Sequence, residues 1–532
     1  MSSEIDLSLL RPSSAKNSVD RDGGLPDGPA NAAARSLRIL LLEPYFPAEA
    51  VWGSAKTEQG FLPPMGTISV YGWLKHRGFD VTFLDTQFGD LDPEQIGNIL
   101  VDGGFDVVGL PTFTPTADYV FDTARLVRRC LPKAAIILGN VHASQLPEFT
   151  LTQCPAADFV IRHEAEVTIE MLLEALAGGL SDFSAIAGLV WRRPDGAIVV
   201  NPPRPFIRNL DDLPPGFYSD LKLDRYVPHP TQYIRLPNYP LMTQRGCPYS
   251  CSYCEAGSIL GKKMRMHSPE RVLEELRILK HEKGARGVYF QDSTFTINKK
   301  WVMRLMELMV KDGLDLLWTC NTRADRIDPE MLDAMYAAGC RQLAMGLESG
   351  NQSSLDLIRK GCTVEQQTQG VQWAMSARMR CLTSYILCLP NETPEMVRNT
   401  IDYAKSLRTH TAMFYLPVPF PGSDFFLACQ QSGGIRRTVR WSDFIAIDFD
   451  NPVYVNPNFG ADGMRHWYRQ AYLDYYRSPG VWWSNLTAIR GIEDARRLFR
   501  GGRGLAMLVG KDLRGLLRQM YRGFHGQGAP VE

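Results

Sequence analysis

The chain has 532 residues, 45% hydrophobic and 22% charged, and its 58 basic and 58 acidic side chains leave a formal net charge of zero. That balance fits a globular protein of roughly two to four domains and excludes a chain-wide field for nucleic acid. No apolar run approaches the ~18 residues of a membrane span, and the N-terminus lacks the order of a secretory signal, so a cytoplasmic location is expected.

Residues 1–36 are rich in Ser, Asp, Gly, Pro and Ala without periodicity, which predicts a disordered leader. From Leu37 apolar runs alternate with helical segments: "LRILLLE", "DVTFLDT", "FDVVGLPTF", "AAIILGNV" and "ADFVIRHE" read as strands. Their order over 37–180 predicts an α/β, doubly wound parallel sheet with helices on both faces. Ligands of such sheets lie beyond the carboxyl ends of the strands, which here carry "EPYF", "PTFTPT" and "GNVHAS". Residues 181–234 predict a hairpin, turning at Pro194-Asp195-Gly196, and then a Pro-rich linker. A second alternating series over 235–450 begins with "LMTQRG" at Leu241. It predicts a partial (β/α)6 barrel, with polar residues such as Asp292, Asn321, Arg323 and Glu348 at its strand ends. Residues 451–532 predict a helical, basic C-terminal region, since 461–525 hold twelve Arg or Lys against five Asp or Glu.

The eleven cysteines are odd in number and mostly scattered, which argues against a disulfide framework. One stretch differs. "RGCPYSCSYC", residues 245–254, spaces Cys247, Cys251 and Cys254 as C-x3-C-x2-C. Thiolates in such spacing hold zinc or an iron–sulfur cluster. Zinc asks for a second ligand pair, which the neighbourhood lacks; the nearest histidine is His267. A [4Fe–4S] cluster on three cysteines leaves one iron open to a small molecule.

This triad, with Tyr253 before its last cysteine and placed after the first strand of a six-unit barrel, resembles the radical S-adenosylmethionine (SAM) superfamily. "FQDSTFTIN", "NTRADRID", "MGLESGNQSSLDLIRKG", "LCLPNETPEMVRNTIDYA" and "PVPFPGSDFF" extend the likeness over about 235–425. The resemblance implies that Cys247, Cys251 and Cys254 hold the cluster and that its open iron binds SAM. Reductive cleavage of SAM then releases a 5′-deoxyadenosyl radical. Tyr253, Asp292, Asn321, Arg323, Glu348 and Pro390 become candidate SAM contacts. Asp292 has the alternative of a helix N-cap, Arg323 of a surface ion pair, and Glu348 of a barrel salt bridge. Gly350 is expected to shape the backbone around the adenosine.

A doubly wound domain ahead of such a barrel resembles the cobalamin-binding, class B branch of that superfamily. Thr112, Thr114, Thr116, Gly139, Asn140 and His142, at strand ends, become candidate contacts of the corrin or its nucleotide tail. The D-x-H-x-x-G motif that supplies a lower cobalt ligand is missing, and Glu43-Pro44-Tyr45-Phe46 follows the first strand instead. A base-off cobalamin without an imidazole ligand is therefore expected.

The combination implies methyl transfer to an unactivated carbon of a small molecule or lipid, with a flavodoxin or ferredoxin as reductant. Rings or oxygen insertion are the alternative outcomes in this branch, and a metal-stabilised binding scaffold is the non-enzymatic one. At the C-terminus, Leu505, Val509, Leu513, Leu516, Met520 and Phe524 recur at helical spacing beside Lys511, Arg514, Arg518 and Arg522. A basic amphipathic helix over 503–524 fits either docking on the barrel or peripheral contact with an anionic membrane, which would suit a hopanoid-like lipid.

Overall fold

A computed structural model describes residues 4–7, 22–23, 25–26, 30–48, 60–215, 221–446, 451–489, 491 and 493–496. The expected tail helix over 503–524 lies outside the described residues.

The first sheet contains β1 (Arg38–Glu43), β2 (Asp80–Asp85), β3 (Val107–Pro111), β4 (Ala135–Gly139), β5 (Phe159–Ile161), β6 (Leu189–Arg192) and β7 (Ile198–Val200). They lie in the order β2-β1-β3-β4-β5-β6-β7, and the first five are parallel. The helices are α1 (Met65–His76), α2 (Pro93–Gly103), α3 (Ala117–Cys130), α4 (Asn140–Gln145), α5 (Pro147–Gln153) and α6 (Glu166–Ala177). With both faces covered, β1 is buried along nearly its whole length and reads as an unbroken apolar run. The local signals agree. Asp92 and Gln95 form a capping box at the start of α2, with Pro93 at its first position.

The hairpin β6–β7 is no separate linker element. β6 joins the first sheet antiparallel to β5, and β7 pairs antiparallel with β6 as the edge. Buried Leu189, Val190 and Trp191 supply the apolar surface that docks it there. Nor is the leader wholly structureless. Ile5–Asp6 pair with Thr438–Val439, where buried Ile5 and Leu7 find an apolar seat, and Asp22–Gly23 pair with Phe206–Ile207.

The second sheet is wholly parallel and follows chain order: β8 (Asn238–Leu241), β9 (Gly287–Phe290), β10 (Leu317–Thr322), β11 (Cys340–Glu348), β12 (Arg380–Ile386) and β13 (Thr411–Tyr415). Helices α7 (Pro269–His281), α8 (Lys299–Asp312), α9 (Pro329–Ala337), α10 (Val364–Ser376) and α11 (Pro394–Leu407) alternate with the strands. This is the expected partial barrel, with its first strand three residues earlier than "LMTQRG" suggested. Within that stretch Gln244–Arg245 instead form a short antiparallel ribbon with Arg265–Met266. Helices α12 (Gly460–Tyr476) and α13 (Pro479–Thr487) follow.

One apolar core runs from a face of the first sheet (Leu41, Val107, Ile137) into the barrel (Leu241, Val288, Trp318). A second core covers the opposite face of that sheet and includes Phe426, Trp441, Phe444 and Val453 from beyond the barrel. The carboxyl ends of the first sheet therefore look toward the start of the barrel.

Candidate active site

The cysteine loop begins at Gly246, whose φ of +100° and close approach to the Lys263 carbonyl (2.3 Å from an added Cβ) admit only glycine. Backbone bonds then pin the loop. Cys247 N–H donates to Gly261 O (3.0 Å), Ser252 N–H to Ile358 O (2.9 Å), and Phe425 N–H to Ser252 O (3.1 Å). Desolvation, reinforced by nearby Cys251 and Cys247, pushes the Cys254 thiol up to about 11, although solvent still reaches its side chain. Among the described residues no three His, Cys, Asp or Glu side chains converge as the ligands of a single metal ion. The other two thiols of the triad nonetheless neighbour Cys254, the arrangement that a three-cysteine cluster would use.

Cations surround the loop. Buried Arg323 places Nη1 3.9 Å from Cys251 Sγ, forks onto Asp325 (2.8 and 3.2 Å), donates to Lys360 O (2.8 Å) and stacks 3.9 Å from the centre of the Tyr249 ring. It forms a buried ion pair, unlike the surface pair considered from sequence. Lys360, which the sequence reading missed, donates from Nζ to Glu348 Oε1 (2.8 Å). Tyr253 Oη donates to the same oxygen (2.8 Å). Burial alone would lower the Lys360 ammonium, but Glu348 outweighs it and holds the group above its ordinary range. Burial and Glu348 together raise the Tyr253 phenol. The Glu348 backbone sits at φ +66°, where the register between β11 and β12 shifts, and this turns its carboxylate toward the loop.

Asp292 is fully buried and caps no helix. Its oxygens accept from Thr243 N–H (2.7 Å), Thr243 Oγ1 (2.6 Å) and Gln244 N–H (2.8 Å), fastening the backbone just ahead of the cysteines. Burial lifts its carboxyl to about 7 despite those bonds. Asn321 donates to Asp292 O (3.3 Å) and accepts from Tyr289 Oη (3.0 Å). Pro390 lies buried in the loop after β12, between Cys388 and Asn391, both at positive φ. Gly350 owes its identity to packing, since an added Cβ would lie 2.7 Å from Tyr403 Cβ.

A cavity opens at the carboxyl ends of the first sheet, between α1 and α6. Leu41, Gly109, Ile137 and Ile161 form its floor, Gly66, Thr67 and Ser69 one wall, and Glu164 and Glu166 another. Thr243, Arg245, Ile259 and Leu260, which flank the cysteine loop, close it from the barrel side. At Gly109 an added Cβ would already lie 2.9 Å from Leu41, so the floor is kept low by a missing side chain. Of the candidate cobalamin contacts, Gly139 and Asn140 line this cavity; Thr112, Thr114, Thr116 and His142 do not. His142 packs edge-on to Trp441 (4.5 Å between rings) in the core on the opposite face. Burial lowers its imidazole to about 3, and Nδ1 contacts Thr114 Oγ1 at 3.3 Å. Thr112 serves through its backbone, bonding Gly139 O and His142 N–H, and Thr116 Oγ1 turns back to Phe113 O. Thr114 and Thr116 sit buried on the helical turn at 114–116, off the cavity lining.

Also unforeseen was the ionic group on the cavity wall. Arg245 binds Glu164 (3.0 Å) and Glu166 (2.7 Å), and Arg265 binds Glu164 (2.8 Å). Separations of about 80 residues and more leave no local sequence signal for such pairs.

The cavity at the carboxyl ends of the first sheet shares Thr243, Arg245, Ile259 and Leu260 with the flanks of the cysteine loop, so two candidate cofactor sites lie side by side. Comparison with known proteins gives this arrangement a family. The radical SAM superfamily model matches residues 241–404, and the B12 binding domain model matches residues 55–173. The chain is 30% identical to the "uncharacterized methyltransferase PH0819" of Pyrococcus horikoshii over 91% of its own length and 99% of the relative's. It is 27% identical to the anaerobic magnesium-protoporphyrin IX monomethyl ester cyclase of Rubrivivax gelatinosus, covering 80% and 74% of the two chains. Among solved structures, the radical SAM methyltransferase TsrM of Kitasatospora setae, with cobalamin and a [4Fe–4S] cluster bound, shares the fold. Its TM-score is 0.65 at 18% identity, with 83% of this chain and 89% of that one covered. The protein belongs to the cobalamin-binding family of radical SAM enzymes.

Proposed function

We propose that the protein is a C-methyltransferase acting on an unactivated carbon of a lipid or secondary metabolite. The observation that carries this reading is the shared wall. The slot of the first sheet and the cysteine loop meet through Thr243, Arg245, Ile259 and Leu260, so a methyl carrier and a radical generator would face one substrate.

When bound, a reduced [4Fe–4S] cluster supplies the electron that cleaves SAM to a 5′-deoxyadenosyl radical, while cobalamin carries the methyl group. The chain's residues position and neutralise. Cys247, Cys251 and Cys254 hold the cluster, and Arg323 and Lys360 offset its negative charge. Glu348 and Tyr253 present acceptor and donor groups to the SAM amino acid portion, beside Asn321 and Pro390. Asp292 acts behind them by fixing Thr243 and Gln244. Gly139 and Asn140 border the nucleotide tail of cobalamin. A flavodoxin or ferredoxin delivers the electron.

The lipid reading draws on helix α13. Trp482, Trp483 and Leu486 are exposed there, and the basic segment 503–524 follows in the sequence. Among the described residues no helix is long and apolar enough to cross a membrane, so such contact would be peripheral. Sedimentation with phosphatidylglycerol vesicles tests it. Binding is expected to fall in the Trp482→Ala/Trp483→Ala variant, and equal recovery with neutral vesicles argues against an anionic surface.

The deciding experiment feeds methyl-labelled methionine to cells with and without the gene and compares small molecules and lipids by mass. A labelled product heavier by one methylene supports methylation. An unlabelled product that has lost hydrogens or gained oxygen supports a cyclase-like reaction, favoured by the likeness to the ester cyclase. The Cys251→Ala protein should form neither product.

A further inference from the structure

We propose that Arg245 is a positioning residue that transmits occupancy of the first-sheet cavity to the cysteine loop. The inference rests on the reading above only in taking cobalamin as the cavity's ligand.

Arg245 touches both sides of the slot. Its Nη1 donates to Glu164 Oε1 (3.0 Å), and its Nη2 to Glu166 Oε1 (2.7 Å) and Ser69 Oγ (2.8 Å). Ser69 belongs to α1 and Glu166 to α6, the two helices that flank the cavity, and Ser69 Oγ also donates to Glu166 Oε1 (2.7 Å). A ligand seated between these helices sets their separation and thereby the seat of the guanidinium. A planar fork held by three acceptors, one on each helix and Glu164 on the loop ahead of α6, has one position that satisfies them all.

The opposite end of the residue has no slack. Arg245 is followed by Gly246, tight against Lys263 O, and then by Cys247, whose N–H is tied to Gly261 O (3.0 Å). Across the ribbon Arg245 pairs with Arg265. That second guanidinium grips both oxygens of Glu164 (2.8 and 2.9 Å), Ile207 O (2.7 Å) and Leu260 O (2.7 Å). The group thus balances two buried carboxylates against two buried guanidinium ions, and it couples the slot to both strands that frame the cysteines. Rigid coupling of this kind requires that cobalamin and the cluster loop each stabilise the other's bound arrangement.

The test uses the full-length protein purified without its cluster, hydroxocobalamin as probe, and deuterium exchange of peptides covering 244–254 and 259–267. In the unaltered protein, added cobalamin is expected to slow exchange there by about fivefold or more. Arg245→Met should still bind the probe but lose the slowing. Arg245→Lys, which keeps the charge without the fork, should lose most of it, and Ser69→Ala part of it. Rebuilding the cluster should tighten cobalamin binding in the unaltered protein and leave Arg245→Lys unchanged. A purely structural role would lower melting temperature without abolishing the coupling. Equal slowing in all variants, or none in the unaltered protein with cobalamin bound, overturns the inference. Failure to find a methylated product would leave these exchange results standing, since none depends on turnover.

Discussion

At the scale of single residues, two buried groups carry the sharpest expectations. The Glu43 carboxyl, at the end of β1, is buried beside Thr67 and Asp85, and desolvation lifts it to about 8 from an ordinary 4.5. The native state therefore holds its proton more tightly than the unfolded chain does. Stability contributed at low pH falls as the pH climbs from the unfolded value through about 8, by at most roughly 5 kcal/mol. Glu43→Gln should match the unaltered protein at pH 4.5 and exceed it by ~2 kcal/mol at pH 8.5, as read by urea unfolding. Lys360 is the second group. Lys360→Met strips Glu348 of a buried cation and should cost about 3–5 kcal/mol. Iron retained after reconstitution should fall with it; full iron content in a folded Lys360→Met protein would show that the charge is dispensable. The cysteine triad stands out as a candidate in the sequence because a metal-type spacing is local. Lys360 was not, since a lysine in "RKG" looks like any solvated charge until the fold buries it against Glu348.

At the scale of elements, the strands were readable because both sheets are buried on two faces, which forces unbroken apolar runs. Association between elements was not readable. The hairpin β6–β7 announces its turn through Pro194-Asp195-Gly196, yet nothing in its sequence says that it will extend the first sheet as an edge. The threonines of "PTFTPT" stand at a strand end, as ligand contacts do, but a single helical turn redirects them. Helix α10 shows how tightly elements constrain the site. An added Cβ at Gly370 would lie 1.9 Å from Ala324 O, immediately after Arg323. Gly370→Ala should push that helix away and cost about 1–3 kcal/mol in thermal or urea unfolding. A neutral effect would mean that the 323–326 turn yields freely, and Arg323 with it.

At the scale of the whole molecule, the boundaries expected from sequence do not separate independent cores. The apolar core shared by Leu41, Ile137, Leu241 and Trp318 crosses from the first sheet into the barrel, and the ionic group at Glu164 and Arg245 crosses with it. The cofactor-free protein is accordingly expected to unfold in one transition, with far-ultraviolet dichroism and tryptophan fluorescence superimposing. Two resolved transitions would show that the halves are autonomous. Composition could not have given this, because an interface made of core-like residues looks like core in a linear sequence.

Trp441 closes the far face of the first sheet although it is encoded after every strand of the barrel. During synthesis the earliest-made half can cover most of that face with its own helices, but the seat of Trp441 stays open until residue 441 has left the ribosome. Products truncated before residue 441 would carry that apolar seat exposed, a surface that invites chaperones.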